Sequence, residues 1–328
     1  MSLSRRSLII GSSLMAAMRA PGFARSSVTQ NNDLSSPGRV ARLKQLKWGM
    51  FVCWSFSTFS DKEWTQDVRD ASFFNPSGID TDEWVRTAKE AGMGYLLLLT
   101  KHHDGFCLWD TKTTSLNVMK SPLGKDVLAA VRQSCDKYGI KLALYFSEGE
   151  WAWPDKKNPE IKKAQLKELC SNYGPIEFFW MDHAQGDGGL SHQETVDLVQ
   201  SIQPRCFVGF NNGDPAGDLR LGEMGAPAPL TDSSSAGPYA VPSDHKYLVA
   251  EFALPLLGTS ARWFYTDPKM DSNVRSPWEL LGLYMGAVKY GNIFSLDIGP
   301  DRTGHLRPID IQTLQQAGKL IRTFSPQC

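Results

Sequence analysis

Short, strongly apolar runs alternate along the chain with stretches in which apolar residues recur every three or four positions. The runs fall at 48–56 (WGMFVCWSF), 95–101 (YLLLLTK), 141–147 (KLALYFS), 175–182 (PIEFFWMD), 206–211 (CFVGFN), 247–252 (YLVAEF) and 292–298 (NIFSLDI). Runs of this length predict strands, and strands this apolar are buried on both faces, as in parallel sheets. Helical patterns lie between them at 82–91, 126–138, 159–173, 192–203 and 277–290, with another at 308–323. Thr81 is a candidate cap for the first, and Gly139 stops the second. Residues 213–245 are rich in Gly, Pro, Ser and Asp and are expected to form a long loop without a helix. Seven or eight strands with helical crossovers favour a (β/α)8-like TIM barrel over an open doubly wound sheet. The absence of a Gly-rich nucleotide fingerprint after any strand points the same way.

A barrel gathers the C-terminal ends of its strands at one mouth. The polar and aromatic residues at those ends are Cys53, Trp54 and Ser55; His102, His103 and Asp104; Tyr145, Ser147 and Glu148; Trp180 and Asp182; Asn211 and Asn212; Glu251; and Asp297. One polar strand-end residue is usually the start of a turn, but a set from nearly every strand reads as a site.

The residue types narrow the chemistry. His102 and His103 are adjacent, so on an extended strand their rings diverge, and no HxH or HExxH spacing accompanies them. The six cysteines, at 53, 107, 135, 170, 206 and 328, lack CxxC spacing. No metal or other cofactor is indicated, and most of these cysteines are expected as buried free thiols. There is no GxSxG, and Cys53 has no evident base, which leaves carboxylate chemistry. Asp182, directly after the apolar residues Phe178–Met181, is either a cap for the next helix or a nucleophile at the barrel mouth. The next helix begins only near Ser191, which favours the nucleophile.

With 35 basic and 35 acidic side chains among 328 residues, the chain carries no excess positive field for nucleic acid. Ten tryptophans suit an aromatic-lined cleft for a flat ligand such as a sugar. At the N-terminus, SRRSLII and the mildly apolar run after it form a twin-arginine leader pattern over residues 1–24, with cleavage expected after Ala24. A polar linker at 25–40 and a barrel over 41–328 follow. Export to the periplasm or cell exterior is expected, with no lipid or membrane anchor, because no later apolar run reaches spanning length.

The motifs DTDEWVRTAKEAGMGYLLLLT, KHHDGFCLWDTK, KLALYFSEGEW and YGPIEFFWMD, and the late pair WFY and NIFSLDIGPDRTGHL, occur in that order. Together they resemble the α-L-fucosidases of glycoside hydrolase family 29, from about Leu46 to the C-terminus. The resemblance implies an irregular barrel with some outer helices missing. A C-terminal β-sandwich domain, present in many relatives, is expected to be absent here. It implies a retaining double displacement with Asp182 as nucleophile and a second carboxyl as acid/base, close to it in space. Glu223, within LRLGEMG, is the candidate for that role, with Glu251 as its main rival and Glu63 behind. His102 and His103 are expected to bond sugar hydroxyls or shape the rim. Glu63 and Trp64 match a segment that closes over the sugar, although Trp64 could equally be core packing. Tyr145 and Trp180 match pocket-lining positions. Where the family has a histidine that contacts the sugar, this chain has Cys53, a poor hydrogen-bond partner. That departure bears on the glycone more than on the reaction, and a related sugar such as α-L-galactose would fit. The expected partner is a fucosylated glycan or related glycoside. A sugar-binding protein on a decayed scaffold and a metal-dependent hydrolase are the competing classes.

Overall fold

The computed structural model describes residues 36–151, 158–183, 188–211, 217–223, 249–258, 262–265 and 267–325. The leader, the linker up to residue 35 and most of the 213–245 stretch lie outside the described residues.

Eight parallel strands close into a barrel in chain order. They are β1 (Trp48–Val52), β2 (Tyr95–Lys101), β3 (Lys141–Ser147), β4 (Phe178–Asp182), β5 (Phe207–Phe210), β6 (Leu219–Glu223), β7 (Val249–Pro255) and β8 (Ile293–Asp297). Closure comes from β8 pairing with β1, Trp48 opposite Phe294 and Phe51 opposite Asp297. The helices are α1 (Ser36–Lys44), α2 (Ser57–Ser60), α3 (Thr81–Ala91), α4 (Val127–Tyr138), α5 (Pro159–Asn172), α6 (His192–Ile202), α7 (Pro277–Val288) and α8 (Pro308–Phe324).

Side-chain alternation divides the apolar residues into two cores. Phe51, Leu97, Leu99, Ala143, Phe178 and Phe207 fill the barrel. Their sequence neighbours Met50, Val52, Leu96, Leu98, Leu142 and Leu144 face the helices. The lower interior is plugged by Tyr95, whose hydroxyl meets Ser295 Oγ at 2.7 Å. Gly49 makes room for that ring, since a Cβ there would lie 2.4 Å from it. The five described cysteines, Cys53, Cys107, Cys135, Cys170 and Cys206, are buried and free, as the apolar patterns around them require.

Several boundaries differ from the sequence expectation. The first run overshoots its strand, which ends at Val52, because Cys53, Trp54, Ser55 and Phe56 are buried without being in the ladder. The cap of α3 is Asp80, whose side chain accepts from Glu83 N; Thr81 is the first helical residue. β6 lies inside the stretch expected to be only loop. α1 likewise starts within the expected linker.

Candidate active site

At the C-terminal end of the barrel the strand ends enclose a small cavity of about 150 Å³. Asp182, the last residue of β4, lines it and is 5% exposed. Tyr145 Oη donates to Asp182 Oδ2 at 2.6 Å. Asn211 Nδ2 and His183 N donate to Oδ1 at 2.9 and 2.8 Å. Asp182 does not cap a helix: α6 is capped by Ser191, in a reciprocal capping box with Glu194.

Glu223 ends β6 and lines the same cavity from its exposed rim. Asn211 hydrogen-bonds this carboxyl as well, so one amide side chain touches both acids. Desolvation, followed by repulsion from Asp182, pushes Glu223 up to about 8. The neighbouring strands β4, β5 and β6 supply Asp182, Asn211 and Glu223 through ladder pairings such as Met181 with Phe210 and Phe210 with Arg220.

His102 and His103 do not diverge. β2 ends at Lys101, and a turn follows in which Gly105 N donates to His102 O at 3.0 Å, so strand alternation no longer applies. Both rings line the cavity with centroids 4.1 Å apart. Ser147 donates its hydroxyl proton to Gly149 O at 2.6 Å, so its Oγ, 2.7 Å from His103 Nδ1, acts there as acceptor. That fixes a proton on Nδ1 and turns Nε2 to Asp182 Oδ2, 3.5 Å away. His102 is wholly desolvated, and burial holds its pKa well below the usual histidine range, with His103 and His183 adding to the effect.

The other expected site residues divide into two layers. Glu63, Trp64, Tyr145 and Cys53 line the cavity. Glu63 accepts from Trp263 N at 3.1 Å, and burial raises it to about 7. Trp64 is 59% exposed at the mouth, so it is no part of the core. Cys53 is buried on the floor beside Asp297, its thiol pushed well up by burial and then by that carboxyl. Trp180 and Glu251 lie one layer beneath. Trp180 stacks on Tyr145 at 5.3 Å and donates Nε1–H to Glu251 Oε2 at 3.0 Å. Neither is among the cavity-lining residues, because inward-facing positions of a packed barrel form layers and these two belong to a lower one.

Sequence reasoning placed Asn211 at a strand end without a role and passed over His183 entirely. Trp263 and Phe264, which also line the cavity, figured there only within a motif of the family resemblance, without a role of their own. No spacing signals His183; its mark is a backbone φ of 48°, visible only in the fold. Away from the cavity, Asp80, Glu83 and His305 bring ligand-type atoms within 4.8 Å of one another. Asp80 and Glu83 already accept backbone bonds there, from Glu83 N and Leu306 N.

A family profile described as Alpha-L-fucosidase matches residues 62–325. Alpha-L-fucosidase 1 of Arabidopsis thaliana is 27% identical over 307 residues, 84% of this chain and 59% of that protein. The chain thus spans about three-fifths of that relative's length. Among solved structures, a glycoside hydrolase 29 family member from an unknown rumen bacterium superposes with a TM-score of 0.73 at 27% identity, covering 86% of this chain and 56% of that one. An alpha-L-fucosidase from Lactobacillus casei, in complex with alpha-L-fucose product, gives 0.69 at 25% identity and covers 89% and 99%. On the match across residues 62–325, the chain belongs to the alpha-L-fucosidase family, glycoside hydrolase family 29.

Proposed function

We propose that the protein is a retaining exo-glycosidase that removes terminal α-L-fucosyl residues, or a closely related L-sugar, from glycans. The observation that carries this reading is the pair of carboxyls joined through Asn211. One is oriented by three donors and the other is crowded into holding its proton near neutral pH. In the first step an Asp182 carboxylate oxygen attacks the anomeric carbon, and the bond to the leaving oxygen breaks as Glu223 gives that oxygen its proton. In the second, Glu223 takes a proton from water, which attacks the same carbon and frees Asp182. Tyr145 and His103 stand against the attacking carboxylate, and the aromatic walls suit the apolar C–H face and methyl group of a deoxy sugar. The twin-arginine pattern at the N-terminus supports action outside the cytoplasm. Among the described residues no helix is long and apolar enough to cross a membrane.

The test is an aryl α-L-fucoside assay on wild type, Asp182→Ala and Glu223→Ala, with azide added to each variant. Asp182→Ala is expected to lose at least about 10³-fold in kcat and to form the β-fucosyl azide. Glu223→Ala is expected to lose about 10²–10⁴-fold and to form the α-azide. Wild-type kcat/KM should fall as pH rises past about 8, where Glu223 gives up the proton the leaving group needs. Full activity in Glu223→Ala sinks its assignment, and activity lost to a chelator would favour a metal-dependent hydrolase.

A further inference from the structure

His183, next to Asp182, has a backbone φ of 48°, in the left-handed region where a β-carbon is disfavoured. That conformation aims its N–H at Asp182 Oδ1, 2.8 Å away. Glycine would adopt it at lower cost, so the backbone bond alone does not account for an imidazole here. The side chain lines the cavity, and its ring packs on His103 with centroids 4.1 Å apart. The His103 ring also meets that of His102 at 4.1 Å and that of Trp151 at 5.3 Å, each in a tilted arrangement. The imidazole held by these contacts is the one whose Nδ1 is tied to Ser147 and whose Nε2 faces the second oxygen of Asp182. One residue therefore reaches both carboxylate oxygens, Oδ1 through its amide and Oδ2 through the ring it presses on His103.

We propose that His183 is a positioning residue for the reaction, its imidazole packing against His103 in a three-histidine cluster that holds His103 Nε2 against the nucleophile. The proposal rests on Asp182 being the nucleophile. A small misplacement of groups around a reacting carboxylate costs rate more than ground-state affinity. Ring contact, unlike the backbone bond, is transferable to another aromatic.

The experiment measures kcat and KM for an aryl α-L-fucoside in His183→Gly and His183→Phe, with Asp182→Ala in the same series. In His183→Gly the backbone keeps its conformation and the ring is gone. Its kcat should fall about tenfold with KM within about twofold, while its melting temperature stays level or rises. His183→Phe restores a ring without nitrogens and should recover kcat to within about threefold of wild type. Wild-type kcat in His183→Gly overturns the proposal, as does a Phe variant no better than Gly. A raised KM at unchanged kcat also overturns it, by making His183 a substrate contact. If Asp182→Ala stays fully active, the nucleophile reading and this inference fall together. If Asp182→Ala is dead while His183→Gly is normal, only the inference falls.

Discussion

At the ends of β2 and β3, the buried carboxyls of Glu148 and Glu150 are matched by lysines. Lys101 pairs with Glu150 and also donates to Gln165 at 2.9 Å; Lys162 Nζ stands 2.7 Å from Glu148. Around the rest of this barrel end, Glu251 and Asp297 are buried and Glu63 is half-buried, against other neighbours. Glu251 has the Trp180 indole and the Ser295 hydroxyl, Asp297 has the Cys53 thiol, and Glu63 has two backbone amides, with the Arg262 guanidinium 4.0 Å away. The paired side is scaffolding. It ties down the segment whose amides Glu148 N and Trp151 N bond to Asp182 O at 2.9 Å and His103 O at 2.7 Å. The other side is a set of carboxyls without a lysine bonded to them among the described residues, whose pKa values burial drives upward, with Glu223 among them. A neutral carboxyl needs no counter-ion and can give a proton, which is the role proposed for Glu223, so the same residue type can serve structure in one place and proton transfer in another.

Breaking one pair on the scaffolding side has the largest expected effect on stability. Lys162 and Glu148 are each 3% exposed, and burial pushes each toward its neutral form, Glu148 up and Lys162 down, against their mutual attraction. Lys162→Met strands Glu148, and the expected loss is about 3–5 kcal/mol in urea unfolding. Adding Glu148→Gln should restore most of it, because removing both charges removes the desolvation they were offsetting. A loss below about 1 kcal/mol in the single variant would mean that the pairing is not what distinguishes this side.

The other side should respond to pH instead. Burial raises Glu251 to about 7, while in the unfolded chain a glutamate titrates near about 4.3. Between those values the folded state holds a proton that the unfolded state has lost, so stability falls as pH rises through this window and levels off above it. Glu251→Gln keeps an acceptor for the Trp180 N–H and cannot ionise. It should flatten part of that slope, adding about 2 kcal/mol at pH 8 and little at pH 5. Urea midpoints at the two pH values provide the check, and an unchanged difference between them would remove Glu251 from the uncompensated set.

Much of this contrast was open to sequence reading in outline and closed in detail. The barrel was legible because seven strands are continuous apolar runs buried on both faces. β6 was not, since LRLGE is short and half polar between Gly- and Asp-rich flanks. The fate of Asp182 was legible in retrospect. Ser191 and Glu194 already spell a capping box, which relieves Asp182 of the cap role. The histidine pair misled because alternation holds only while the ladder continues, and the ladder stops one residue before His102. What joins Asn211 to Glu223, or sets His183 against His103, is the closure of strands far apart in sequence, and no local pattern encodes it.

The smallest expected effect lies at the cavity floor, where Cys53 meets Asp297. Cys53 is neutral, sits beside Asp297 and lines the cavity, while Asp297 Oδ1 is buried without a hydrogen-bond partner among the described atoms. An imidazole in place of the thiol would supply one N–H for that orphaned oxygen and leave its other nitrogen for a sugar hydroxyl. One added hydrogen bond is worth about 1 kcal/mol, so Cys53→His should lower KM for an aryl α-L-fucoside about fivefold, with kcat within about twofold. The ring is larger than the thiol, and overpacking against Phe51 and Tyr145 would offset part of the gain. If KM is unchanged or raised for the fucoside, the floor fits the thiol. The same pair of proteins assayed on an aryl α-L-galactoside then decides whether that fit belongs to a sugar bearing a hydroxymethyl group where fucose has its methyl.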